Sequence, residues 1–269
     1  MQPDSISHGA VKTEAQHRSD ICMVGRWIHD RGFVASTDGN VSVRLGADRI
    51  LMSPTCMSKG MMTPDDLVII DNEGRRVDGT RKPSSELGMH LLIYRLRPDV
   101  NAICHAHPPT ATGFAAAGIA LDKPILCELV IGLGSIPVAR YGTPGTSELT
   151  AALEPLVRGH ESILMANHGV VTYGADLLTA FLRMETTEHF ARVSLVTELL
   201  GKQVLLSGGD VEKLVAARAR YAAGAQPAAS ASAGDLTNGA EGPTDRVTLT
   251  RRELDALIDE AVRRDRSLR

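Results

Sequence analysis

The sequence predicts an α/β fold, and three observations carry that expectation. Short apolar or alternating runs separated by tight-turn residues fill the first third of the chain, as strands do. From residue 83 onward, capped helical periods alternate with apolar strand-like runs. Apolar residues make up 43% of the 269 residues, which suffices for a full core and excludes wholesale disorder.

In chain order, the first ten residues read as a loose terminus, and residues 12–31 place Ala15, Ile21, Cys22, Val24, Trp27 and Ile28 in a partly helical pattern. Ser36-Thr37-Asp38-Gly39-Asn40 is a turn cluster. Val41–Leu45 alternates as a half-buried strand does, Ile50–Met52 and Leu67–Ile70 are further short strands, and Asp71-Asn72-Glu73-Gly74 turns between strands. Pro83-Ser84-Ser85-Glu86 opens a helix: serine caps it, the acid sits in the first turn, and Leu87, Leu91, Leu92 and Leu96 share a face until Pro98. Residues 101–107 form a strand, and Thr110–Ala117 a short helix ended by Gly118. Residues 135–139 and 162–166 are strand-like, with a helix between them from Thr146 to about Arg158. Residues 175–200 form a long helix ended by Gly201. One domain is expected over 10–222. The Ala/Gly/Ser/Pro-rich stretch 223–247 cannot bury a core and reads as a flexible linker. Residues 248–269 carry a capping box at Thr250–Glu253 and an apolar face of Leu254, Leu257, Ile258, Ala261 and Val262, an amphipathic tail helix.

Lys+Arg 29 against Asp+Glu 32 leaves a net charge of −3, so no overall basic bias points to nucleic acid. Four Phe, four Tyr and one Trp are too few for a base-stacking platform. No apolar run approaches the ~18 residues of a membrane helix, and the first residues lack an apolar leader, so a cytoplasmic protein is expected. Cys22, Cys56, Cys104 and Cys127 form no CxxC pair and read as reduced thiols.

Chemistry starts at His105-Ala106-His107. On a strand these rings share a face about 7 Å apart and could converge on one metal ion. Nine histidines in this length give about 0.3 such pairs by chance, so the pair alone does not decide against two polar residues on an exposed face. His168, in Ala166-Asn167-His168-Gly169 just after an apolar strand, is the candidate third ligand, though a turn histidine bonded to backbone is the plainer alternative. Three histidines with one open position is the donor set of a catalytic zinc or related divalent ion. Glu86 is either a plain capping carboxylate or a general base near that ion, removing a proton beside a carbonyl. His90, one turn later, is given to packing or to orienting a neighbour. Ser84 and Ser85 at a helix start form an anion site that Gly39-Asn40 and Ser53-Pro54-Thr55 could complete. No P-loop or dinucleotide fingerprint is present.

Taken in order, Gly39-Asn40-Val41-Ser42, Ser53-Pro54-Thr55, Pro83-Ser84-Ser85-Glu86, His105-Ala106-His107 and Ala166-Asn167-His168-Gly169 resemble the class II aldolase/adducin family over about residues 15–205. The resemblance implies a three-layer α/β/α sandwich with a mostly antiparallel central sheet, and a homotetramer with active sites between subunits. It implies one divalent metal per subunit, zinc first among them, held by His105, His107 and His168. It implies Glu86 as catalytic acid/base, and Gly39, Asn40, Thr55, Ser84 and Ser85 as substrate-phosphate contacts. The glycine usual after Thr55 is Cys56 here, and Ser58 and Lys59 could supply new contacts. The implied activity is that of an aldehyde-lyase resembling L-fuculose-1-phosphate aldolase, cleaving a phosphorylated ketose to dihydroxyacetone phosphate and an aldehyde. Dehydratase, decarboxylase and epimerase reactions of the same site are the alternatives. The family's 4-epimerases carry aspartate where Glu86 stands, which favours lyase chemistry. Glu128 stands where the fuculose-phosphate enzymes have a tyrosine, which leaves the aldehyde half open; Tyr141 and Tyr221 remain as phenol proton donors. A non-catalytic, adducin-like scaffold is disfavoured because the three histidines and the glutamate are all present.

Overall fold

Strand alternation decides which helices cover which face. In the computed structural model, which describes residues 12–224, eight strands form one sheet. They are β1 (Asn40–Gly46), β2 (Arg49–Met52), β3 (Val68–Ile70), β4 (Arg76–Asp78), β5 (Ala102–Ala106), β6 (Val138–Ala139), β7 (Ser162–Met165) and β8 (Gly169–Gly174). The described helices are α1 (Glu14–Asp30), α2 (Leu87–Leu96), α3 (Pro109–Ala117), α4 (Cys127–Gly132), α5 (Ser147–Val157), α6 (Leu177–Leu199) and α7 (Gly208–Gly224). The strand order is β4-β3-β2-β1-β5-β8-β7-β6. Every neighbouring pair is antiparallel except β6 and β7.

On β5, Ala102, Cys104 and Ala106 point to one face, where Ile21 and Ile28 of α1, Phe114 of α3 and Phe181 and Phe190 of α6 pack. Ile103 points to the other face and meets Leu92 and Ile93 of α2 and Leu153 and Val157 of α5. The result is the expected three-layer α/β/α sandwich with a mostly antiparallel sheet. Each buried Ile or Leu contributes about 1.5–3 kcal/mol relative to exposure. Helix ends follow local chemistry. The Thr13 hydroxyl accepts from the Gln16 N–H at 3.3 Å while the Gln16 side chain accepts from the Thr13 N–H at 2.7 Å, a capping box for α1. Gly118 ends α3 with φ +69°.

Several boundaries differ from expectation. α2 begins at Leu87, after the serines: the Ser84 hydroxyl accepts from the Glu86 N–H at 3.2 Å, and Glu86, at φ −97°, ψ 19°, caps nothing with its side chain. That side chain is thereby free to turn elsewhere. The strand expected over 135–139 shrinks to Val138–Ala139, because Pro137 has no N–H to give a ladder. β4, α4, β8 and α7 are elements the sequence reading leaves unassigned. α7 runs to Gly224, into the stretch read as linker, since Ala222 and Ala223 extend an Ala-rich helix. The rest of that linker, the tail helix over 248–269 and residues 1–11 lie outside the described residues. No described helix is long and apolar enough to cross a membrane, and the four cysteines are free thiols.

Gly39 shows how tightly the sheet approaches the loop before β1. Its φ is +73°, and a Cβ there would lie 2.7 Å from the His105 carbonyl oxygen and 2.7 Å from Val34 Cγ1. Gly39→Ala is therefore expected to cost about 1–3 kcal/mol of stability, read as a lowered urea midpoint. An unchanged midpoint would contradict this close approach.

Candidate active site

Four elements meet at one end of the sheet. β5 carries His105 as its last residue but one and ends at Ala106, and His107 follows it. His168 sits in the two-strand turn between β7 and β8, beside Asn167, which takes the left-handed φ of +55° that tight turns need. Gly169 follows because a Cβ there would lie 2.4 Å from His107 Cδ2; only glycine lets the turn close over that ring. Glu86 comes from the start of α2. The three rings gather with centroids 4.8–5.1 Å apart, and one nitrogen from each lies within 4.8 Å of the others.

Glu86 is 8% exposed and completes the cluster. Its Oε2 lies 3.1 Å from His105 Nε2 and its Oε1 3.2 Å from His168 Nε2. Burial alone would raise its pKa, but the His105 and His168 rings and the Asn40 amide hold the carboxyl far below the usual range. His107 and His168 are pushed down to about 4 by burial and by the neighbouring His105. Burial pulls on His105 the same way, yet the Glu86 charge and hydrogen bond outweigh it and raise its pKa. His105 Nδ1–H donates to the Val170 carbonyl at 2.9 Å, which turns Nε2 toward the cluster.

The loops expected to cradle a phosphate also converge. Pro54 and Pro83 form an isolated bridge, and the Thr55 N–H donates to the Lys82 carbonyl at 3.1 Å. The Ser53 hydroxyl accepts from the Val41 N–H at 3.0 Å. This brings Gly39-Asn40, Ser53–Thr55 and Ser84-Ser85 into one neighbourhood. Ser84 is buried and Ser85 exposed. The Asn40 amide is largely committed, donating to Glu86 Oε2 at 2.9 Å and accepting from His90 Nε2 at 2.5 Å, so one amide N–H is left for a ligand. Cys56 adopts φ +55°, the conformation that suits glycine at this place. Lys59 is buried and donates to the Thr37 and Met57 carbonyls at 2.9 and 2.5 Å, stapling two of these loops. Burial pushes its ammonium down to about 8.

Comparison with known proteins decides the family. Residues 19–195 match the family model described as Class II Aldolase and Adducin N-terminal domain. The chain belongs to the class II aldolase/adducin family. A relative named 5-deoxy-D-ribulose 1-phosphate aldolase, from Bacillus thuringiensis serovar kurstaki, is 33% identical over 74% of this chain and 93% of its own length. An L-fuculose phosphate aldolase from Methanocaldococcus jannaschii is 36% identical over 66% of this chain and 94% of its own. A solved L-fuculose 1-phosphate aldolase superposes with TM-score 0.71 and 28% identity, over 77% of this chain and 98% of its own. Other relatives bear the names 3-oxo-tetronate 4-phosphate decarboxylase, from Haemophilus influenzae, and methylthioribulose-1-phosphate dehydratase, from Methylococcus capsulatus.

The histidine cluster fits a divalent ion of the kind class II aldolases use. His107 and His168, kept neutral by burial, offer lone pairs, as a metal ligand must. His168 Nδ1 and Glu86 Oε1 are buried without a hydrogen-bond partner, so the cluster holds uncommitted donor capacity. A metal held there would displace the proton between His105 and Glu86, whose atoms lie 3.1 Å apart. Asp38, which the sequence reading left in a turn, lies 3.6 Å from His107 Nδ1. Of the other sequence candidates, Glu128 is exposed on α4 beside the Cys127 thiol at 3.1 Å, and Tyr141 is exposed. The side chain of Tyr221 lies outside those described.

His90 gives a pH prediction. Burial, with the His105 charge, pushes its pKa from 6.5 down to about 3. The unfolded chain takes up a proton near 6.5 that the folded chain refuses, so the metal-free protein loses stability as pH falls between these values. The slope from this group reaches about 1.4 kcal/mol per pH unit. Urea midpoints between pH 7 and 5 are expected to fall less steeply for His90→Gln than for the wild-type chain; equal slopes would contradict the assignment.

Proposed function

We propose that this chain is a metal-dependent aldehyde-lyase that cleaves a phosphorylated ketose, of the fuculose 1-phosphate kind, to dihydroxyacetone phosphate and an aldehyde. The observation that carries this reading is the Glu86 carboxylate set between His105 and His168 beside a third imidazole, with the serine and threonine loops next to it. Two relatives that span most of the chain are named as aldolases of phosphorylated sugars, which supports a retro-aldol reaction. His105, His107 and His168 would hold the ion, zinc by preference. When bound, it supplies Lewis-acid stabilisation of negative charge at the substrate oxygens. Ser84, Ser85, Gly39, Asn40 and Thr55 line the place for the phosphate and so fix the register of the sugar chain. As the C3–C4 bond breaks, its electron pair stays with the three-carbon fragment. The C4 hydroxyl gives up its proton as it becomes the aldehyde carbonyl, and Glu86, ionised before the step, takes up that proton and delivers it to C3.

The reading includes a homotetramer in the cytoplasm. In support of self-association, Leu195, Val196, Leu199 and Leu200 on and after α6 and Val204 and Leu205 beyond it are exposed, an apolar surface that association would cover. The test is a screen of ketose 1-phosphates with dihydroxyacetone phosphate as the detected product. Its appearance is expected for at least one substrate. Carbon dioxide release or water loss from related acids and ketoses, without dihydroxyacetone phosphate, would move the chain to the decarboxylase or dehydratase reading that its other relatives' names favour.

A further inference from the structure

Behind Glu86 runs a closed file of buried polar side chains that the reaction as described does not use. Asn40 and Ser42 stand two apart on β1, on the face toward α2. Glu86, His90 and Tyr94 stand four apart along the start and length of α2, on the face toward β1. Asn40, Ser42, His90 and Tyr94 are each at most 4% exposed. The contacts are Tyr94 OH to Ser42 Oγ at 2.8 Å, Ser42 Oγ to His90 Nδ1 at 2.7 Å, His90 Nε2 to Asn40 Oδ1 at 2.5 Å and Asn40 Nδ2 to Glu86 Oε2 at 2.9 Å.

Hydrogen-bond chemistry gives this file one direction. A carboxylate only accepts, so the Asn40 amide must present its N–H to Glu86 and its carbonyl oxygen to His90. That oxygen only accepts, so His90 must carry its proton on Nε2. Burial keeps the ring neutral, so Nδ1 has a lone pair and the Ser42 hydroxyl must donate to it. The Ser42 oxygen is then the acceptor for the Tyr94 hydroxyl. Every donor points toward Glu86, and each group fixes the orientation of the next. A buried polar group left unpaired is costly, and in this file each step is satisfied by its neighbour.

We infer that Tyr94, Ser42 and His90 are positioning residues that lock the Asn40 amide and, through it, the Glu86 carboxylate. The inference rests on the reading of Glu86 as the proton-transfer group. It assigns no proton transfer to the file itself, since the Asn40 amide interrupts any relay.

The test uses the full metal-loaded chain and whichever sugar phosphate it turns over. His90→Leu is expected to lower kcat about 10- to 100-fold, the scale of a small misplacement of a reacting group, with metal content kept. KM should stay within about threefold. His90→Gln keeps an amide N–H to give to Asn40 and is expected to recover most of the loss. In a Glu86→Gln background, His90→Leu should cost no more than about twofold, because the group it positions is gone. An equal loss in both backgrounds, or no loss in the active wild-type background, overturns the inference. Imidazole ¹⁵N NMR supplies a readout independent of turnover: His90 should be the neutral Nε2–H tautomer in the wild-type chain, and in Ser42→Ala its unprotonated Nδ1 resonance should shift as that nitrogen loses its donor. An Nδ1–H tautomer in the wild-type chain overturns the inference even if His90→Leu does not fold. Absence of any sugar-phosphate turnover by the wild-type chain would instead sink the proposed function, and the NMR result would still judge the file.

Discussion

Glu86→Gln is expected to lower turnover about 10²- to 10⁴-fold, the usual contribution of a positioned proton-transfer group. The substitution is nearly isosteric, and the Asn40 N–H can still donate to the amide oxygen, so the fold and the three imidazoles should stay in place. What disappears is a carboxylate whose charge is held on by the flanking His105 and His168 rings and by Asn40. Metal content measured on the same sample separates this effect from loss of the ion. Full turnover in a metal-loaded Glu86→Gln chain would remove Glu86 from the chemistry.

Metal removal is expected to abolish activity, and zinc, cobalt or manganese should each restore part of it, since imidazole donors suit several divalent ions. An ion bound only to the folded state also adds stability, about 2.7 kcal/mol when its free concentration is 100 times its Kd. Chelation should therefore lower Tm as well as turnover. His105→Ala should do the same irreversibly, and more, because it also leaves the buried Val170 carbonyl without the N–H that now meets it at 2.9 Å. A chelated chain with unchanged turnover and unchanged Tm would contradict both effects.

Much of the fold was legible because it is written in local patterns. The 3.6-residue period marked α1, α5 and α6. The alternation of Val41 to Leu45 marked β1, and Gly118 marked the end of α3. β8 escaped notice, although Val170-Val171-Thr172-Tyr173 is a β-branched run of strand length. α4 and β4 are short elements settled by tertiary contacts, which no window of sequence contains. At the site, His105 of β5, His107 just after it and His168 in the β7–β8 turn were visible as types and spacings. Their meeting was implied only by the family resemblance, because no spacing in the sequence brings residue 168 to residue 107, whereas the β5–β8 ladder does. The serine-first reading of α2 also misplaced Glu86 by treating it as a first-turn acid. The structure puts it at the helix edge, where its side chain leaves the helix axis and enters the cluster. Asn40 was noticed for anion binding, yet most of its amide is spent on Glu86 and His90. A signal for that file existed in the four-residue spacing of Glu86, His90 and Tyr94 set against the two-residue spacing of Asn40 and Ser42.

The central claim is that three imidazoles, from the end of β5 and the residue after it and from the β7–β8 turn, hold one divalent ion beside Glu86. Crystals of the zinc-loaded chain, with diffraction recorded on both sides of the zinc absorption edge, test it directly. The expected result is one strong anomalous peak per chain, enclosed by the rings of His105, His107 and His168. A peak held by other residues, or none at that cluster, would contradict it.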